Sequence, residues 1–217
     1  MALSAHWPFF ALRIKTPRLV LRPPTDADLE ELVEVARRGV HDPAMMPFVI
    51  PWTDVPSPRF EREALQYWWR CRSELTPRRW DLVFAVEYRG ELVGAQNLGA
   101  VEFPLLRTAE TGSWLGLEHQ SRGIGKEMRA AIVAFAFECL DATVITSRAF
   151  VDNMSSQKVS LATGYEPNGV DVVARRGEPA EQICFRLSRE RWLDTRPSTS
   201  VDVTGFEACR SALGLES

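Results

Sequence analysis

The segment Trp114-Leu115-Gly116-Leu117-Glu118-His119-Gln120-Ser121-Arg122-Gly123-Ile124-Gly125-Lys126 runs from an apolar strand through a Gly-broken loop directly into an amphipathic helix. Met128, Ile132, Phe135, Ala136, Cys139 and Leu140 then recur at intervals of three and four, so one face of the helix is buried from its first turn and its amino end is held in place. A helix start carries unpaired backbone N–H groups and a partial positive charge. Gly123 and Gly125 let the loop backbone approach an anion with no side chain between. The segment predicts a phosphate cradle, although a strand-to-helix turn that binds nothing uses the same residue types and stays open at this level.

Two familiar phosphate loops fail residue by residue. A Walker loop requires Gly five positions before its Gly-Lys pair and Ser or Thr after it, where this chain has Gln120 and Glu127. A dinucleotide fingerprint requires a third Gly where Met128 stands. What remains is Gln120-x-x-Gly123-x-Gly125. Downstream, Thr143 to Val151 alternates and is rich in β-branched residues, which reads as a strand. Asp152 or Asn153 then suits the cap of a short helix, and Gly164 suits its left-handed stop before Tyr165.

The pattern Gln/Arg-x-x-Gly-x-Gly/Ala resembles the pyrophosphate loop of the GNAT acyltransferase superfamily. Asn153-x-x-Ser156, with Gly164-Tyr165 eight residues after Ser156, resembles the second signature of its RimJ/RimL branch. Thr16-Pro17-Arg18-Leu19-Val20-Leu21-Arg22-Pro23, followed by Asp26-Ala27-Asp28-Leu29, is similar to the first strand and helix start of that branch. The match covers about residues 12 to 193. Hairpins are expected at Arg89-Gly90 and around Gly177. The implied fold is α/β (α+β): a mixed, mostly antiparallel central sheet splayed between two parallel strands, with helices on both faces.

A length of 217 residues suits one well-buried core, taken as a single domain over 1–194 with 195–217 as a C-terminal tail or a packing arm in a homodimer. The net charge of -3 and the scattered Lys and Arg give no footprint for nucleic acid. No apolar run approaches bilayer length and the first residues lack a basic leader, so a soluble cytoplasmic protein with no membrane partner is expected. Cys71, Cys139, Cys184 and Cys209 lie far apart and read as core fillers. The histidines have no ligand-type partners at helical spacing, so no metal is expected.

The resemblance implies coenzyme A as the group that fills the splay. Its pantetheine would run along the backbone of Trp114, Leu115 and Leu117 and bond Asn153. Its pyrophosphate would take N–H bonds from Arg122, Gly123, Ile124, Gly125 and Lys126, and the side chains of Gln120 and Arg122 would add contacts unless Arg122 is simply solvated. Glu110, in Glu110-x-Gly112-x-Trp114-Leu115, resembles the branch's water-mediated base candidate; its alternative is an exposed carboxylate at a strand start. Ser160 stands where many GNAT enzymes place an acidic Tyr. Ser156 is the candidate contact to the leaving sulfur, against a Ser that merely bonds a carbonyl one turn back.

Ser113 replaces the branch's usual Tyr and enlarges or polarises the space by the acyl group. Pro43, Pro47, Pro51, Pro56 and Pro58 are interleaved with Phe48 and Trp52, which are read as a wall of the acceptor pocket, with Trp68 or Trp69 as packing residues. The expected activity is acyl-CoA-dependent N-acyl transfer by direct attack in a ternary complex. Acetyl-CoA is the default donor and succinyl-CoA the alternative, which would require a cation near the acyl terminus. The acceptor is a primary amine on a peptide N-terminus, a lysine or a small molecule, and the N-terminus is the easiest to deprotonate. A non-catalytic acyl-CoA sensor is the competing class.

Overall fold

The computed structural model describes residues 5–196 and 199–215. Chain order is β1 (Arg13–Lys15), β2 (Leu19–Arg22), α1 (Asp26–Arg37), α2 (Arg59–Ser73), β3 (Arg79–Tyr88), β4 (Glu91–Val101), the short α3 (Phe103–Leu106), β5 (Thr108–Leu115), α4 (Ile124–Glu138), β6 (Val144–Phe150), α5 (Met154–Ala162), β7 (Glu166–Arg175), β8 (Glu178–Ser188), α6 (Arg189–Thr195) and β9 (Asp202–Thr204). The strands form one sheet in the order β7-β8-β6-β5-β4-β3-β2-β1-β9. All neighbours are antiparallel except β5 and β6.

Local chemistry accounts for most elements. Arg89 (φ 56°) and Gly90 (φ 83°) turn the β3–β4 hairpin, and Arg176 (φ 52°) and Gly177 (φ 85°) turn β7–β8, the two successive positive φ values that tight hairpins require. Thr25 caps α1 by accepting from the Asp28 N–H, while the Asp28 carboxylate accepts from the Thr25 N–H. Strand alternation then sorts side chains onto two cores. Leu82, Phe84 and Val86 of β3 pack with α4, whereas Val83 and Ala85 pack with Leu29, Leu32 and Val33 of α1 and Phe60 and Trp68 of α2. The middle of the sheet is therefore covered on both faces while β7 at its edge stays largely exposed, and α4 is buried almost all round.

The feature that positions the site is the fork between β5 and β6. The two strands pair only at Thr108–Val144, Ala109–Ile145 and Glu110–Thr146. Beyond that point β5 stays with β4 as far as Leu115, and β6 stays with β8 as far as Phe150. Diverging backbones leave a V whose walls are strand edges.

Of the segment expected from sequence as a tail or a packing arm, residues 199–215 pack on the chain's own sheet, and 197–198 and 216–217 lie outside the described residues. β9 pairs with β1, and Phe206, Cys209, Leu213 and Leu215 are buried in the α4-side core, with the Phe206 ring edge-on to Phe135 at 5.3 Å. A weak amphipathic pattern such as this one does not reveal that its partner surface is the chain's own sheet. Cys209 fills the core, while Cys71, Cys139 and Cys184 are only half-buried, and all four are free thiols.

Candidate active site

A cleft of about 2110 Å³ follows the fork and spreads over the sheet face that carries α1 and α2. At one end stands the start of α4. Its N-cap is Gly123, in the left-handed region at φ 76°, and no side chain caps the helix, so its first N–H groups remain available to an anion. The loop is braced from outside: Arg18 donates to the Arg122 carbonyl and to Glu127, and Thr16 Oγ1 donates to Glu127 Oε1 at 2.6 Å. Lys126, Gly123 and Gly125 line the cleft. The Ile124 side chain is buried in the core, which leaves only its backbone to face a ligand.

Three expected donor contacts are placed differently. Gln120 Nε2 donates to the Val40 and Leu115 carbonyls, at 2.8 and 2.9 Å, so its amide N–H groups fix the loop rather than a phosphate. Leu117 lies past the strand in a 3-10 turn. Its N–H is given to the Gly39 carbonyl at 3.0 Å and its carbonyl takes the Gln120 N–H, so its backbone is spent before any ligand arrives. Arg122 is exposed and stands outside the cleft lining. Trp114 and Leu115, by contrast, lie on β5 beyond its pairing with β6 and line the cleft, although the Leu115 carbonyl already takes Gln120. Asn153 caps α5 by accepting from the Ser156 N–H at 3.1 Å, and both residues are half-buried and line the cleft.

On the face toward α1 and α2, Glu110 is half-exposed and both its oxygens accept from Arg148 Nη1, at 2.7 and 2.6 Å. Phe48, Trp52, Phe60 and Trp114 form a continuous aromatic wall, with ring centroids 5.1 to 5.9 Å apart. Trp68 is buried behind it, while Trp69 lies on the surface and donates to Asp26.

A family model described as the acetyltransferase (GNAT) domain matches residues 18–166. The chain belongs to the GNAT acetyltransferase family. The ribosomal-protein-serine acetyltransferase of Escherichia coli (strain K12) is 30% identical over 91 residues, 42% of this chain and 50% of that protein. The chain thus spans about half the length of the curated relative it matches. Similar solved structures include Mycobacterium smegmatis RimJ in complex with CoA-disulfide, at 17% identity and TM-score 0.68, covering 96% of this chain and 97% of that one. RimL, a ribosomal L7/L12 α-N-protein acetyltransferase in complex with coenzyme A, is 16% identical at TM-score 0.65, covering 80% and 95%. At these identities the solved structures share the fold of this GNAT domain.

In this GNAT domain several residues that sequence reasoning passed over also line the cleft. Asp81 of β3 lies opposite Gly99, which lies opposite Glu110, so the two carboxylates share one face two strands apart. Asp81 accepts from Tyr67 Oη at 3.1 Å and from Asn97 Nδ2 at 3.3 Å. Burial raises its pKa above the usual carboxylate value despite those bonds. Arg148 was invisible because its partner lies across the fork. Asp81 had a signal: a charge between Trp80 and Leu82 inside an apolar strand. Arg129 had one too, a cation on the buried stripe of α4. Tyr165 is fully buried, its hydroxyl 3.1 Å from Thr111 Oγ1, and burial raises its pKa.

Proposed function

We propose that this protein transfers an acyl group from acyl-CoA to a primary amine by direct attack in a ternary complex. The observation that carries the reading is the fork between β5 and β6 leading to an uncapped α4 start: a strand-shaped gap ends in an anion site. Pantetheine, with its alternating amides, complements the gap that opens beyond Glu110, lined by Trp114, Leu115 and Asn153, and the pyrophosphate complements the N–H groups of Gly123 to Lys126. The cradle has no obstructing side chain, so the residues present fit coenzyme A.

The reaction then needs a neutral amine above the thioester carbonyl. Its nitrogen attacks the carbonyl carbon, the C–N bond forms, the C–S bond breaks, and the thiolate leaves and takes up, through water, the proton that the nitrogen sheds. A thiol of pKa about 8.5 is a good enough leaving group that no dedicated acid is required; Ser156 contributes a hydrogen bond to the sulfur. Backbone N–H groups on the β5 edge stabilise the charge developing on the carbonyl oxygen. Asp81 and Glu110 present carboxylates from one face toward the amine, Asp81 to bind it as a cation and Glu110 to accept its proton through water. Phe48 and Trp52 enclose the group that bears the amine. Acetyl is the group named in the relatives' activities, and a protein N-terminus is the acceptor that the names of the ribosomal-protein relatives favour.

The test is calorimetric titration with free CoA and acetyl-CoA, followed by thiol release on adding peptides with free or blocked N-termini. Micromolar binding with thiol release that needs a free amine is expected. Failure of CoA to bind would remove the reading altogether, and binding without release for any amine would leave a sensor.

A further inference from the structure

Arg129 projects from α4 beneath the fork and is 2% exposed. Its Nη1 donates to Ser147 Oγ on β6 at 2.9 Å and its Nη2 to Ser113 Oγ on β5 at 3.2 Å, so the guanidinium bridges the two arms of the V near its apex. The ring of Tyr165 lies 5.9 Å away. Nε is buried without a partner, and among the described residues no carboxylate lies within ion-pair distance of the group. A guanidinium has five N–H donors and a charge that is costly to remove from water. The Ser113 and Ser147 hydroxyls, with the Tyr165 hydroxyl beside them, are neutral partners that leave Nε unpaired and offset none of that charge. The arrangement is a cation prepared for an anion, and it lines the cleft.

We infer that the acyl chain of the donor ends in a carboxylate, a short dicarboxylic monothioester of coenzyme A, and that Arg129 reads that carboxylate. The inference rests on the acyl-CoA reading above. Position separates this cation from the phosphate cradle, because Arg129 lies about 6 Å along α4 from Gly125, at the level where the strands part. Strand alternation separates it from the acceptor: Ser113 points to the α4 side and Glu110 and Trp114 to the other, so Arg129 approaches the donor's terminus from below. Ser113 is a small, half-buried residue lining the cleft beside Arg129, which leaves room for a longer chain. The distal carboxylate takes no part in bond making; the amine still attacks the thioester carbon and CoA still leaves as thiolate.

Calorimetry with free CoA, butyryl-CoA and succinyl-CoA tests this on the intact protein, since the last two carry four-carbon chains that differ in the terminal charge. Succinyl-CoA is expected to bind about tenfold tighter or more, as charge-assisted hydrogen bonds dictate, and Arg129→Met is expected to erase the difference while leaving free-CoA affinity intact. Equal affinities in the unaltered protein, or a preference that survives in Arg129→Met, would overturn the inference; the first comparison needs no variant, so a misfolded Arg129→Met leaves the test decisive. Binding of no CoA species would instead defeat the acyl-CoA reading.

Discussion

Arg148 on β6 holds both carboxylate oxygens of Glu110 on β5 at the level where the two strands separate. The pair spans the fork at its apex, and Glu110 in turn raises the pKa of Arg148. At 45% and 44% side-chain exposure the pair is open to solvent, so its worth is in orientation more than in stability.

Glu110→Gln keeps the shape of the carboxylate and removes its basicity. The variant is expected to bind CoA normally and to lose about a hundredfold in kcat, within the range for a positioned base. Unchanged kcat in steady-state thiol release would show that Glu110 only anchors Arg148.

Asp81→Asn removes the second charge on that face while keeping an acceptor for Tyr67. The KM of a cationic amine acceptor is expected to rise about tenfold, the size of one lost charge-assisted contact, with CoA affinity unaltered. A fall in kcat at constant KM would move Asp81 from amine binding to proton transfer.

Asp28 carries a stability prediction with a definite pH sense. Burial would raise its pKa, but bonds from Arg22 and Thr25 overcome that and bring it to about 2 from an ordinary 3.8. The folded value is the lower one, so the stabilisation is complete above 3.8 and disappears as pH falls through about 2. It amounts to about 2 kcal/mol. Asp28→Asn should therefore unfold at lower urea than the unaltered protein at pH 7, with the gap narrowing below pH about 4. A gap independent of pH would mean the loss comes from packing instead.

Gly94 sits on β4 where it meets the end of β5. A Cβ there would stand 2.2 Å from the Trp114 carbonyl oxygen and 2.9 Å from Leu115 Cα. Backbone cannot yield as a side chain does, so Gly94→Ala is expected to cost about 1–3 kcal/mol or more and to weaken CoA binding by shifting the donor edge. Thermal denaturation with a parallel CoA titration would expose either failure.

Phe206 tests whether the C-terminal segment belongs to the core. Phe206→Ala is expected to cost about 3–5 kcal/mol, as for a buried aromatic anywhere in a domain. A change below about 1 kcal/mol in chemical denaturation would mark the segment as loosely attached.

Much of the scaffold was legible from near neighbours. The hairpins at Arg89-Gly90 and Arg176-Gly177, the cap at Asn153, the stop at Gly164 and the buried stripe of α4 depend on local dihedrals and periodicity, which a sequence carries explicitly. The turn of Gly123 and Gly125 before α4 was read from the same local signals, whereas the place of Trp114 came from the family resemblance; all three line the cleft. The partners of long side chains were not legible. Gln120 spends its amide on Val40, Arg148 meets Glu110, and Arg129 bridges Ser113 and Ser147, each across a gap set by strand register and by where β5 leaves β6. Composition likewise could not say that Phe206 would close over Phe135. The sequence by itself determined the elements and the glycine turn that opens α4, because those rest on contacts a few residues apart; only the tertiary structure decided the partners of the buried cation, the carboxylate and the loop amide around the fork, because those contacts join strands and helices far apart in the chain.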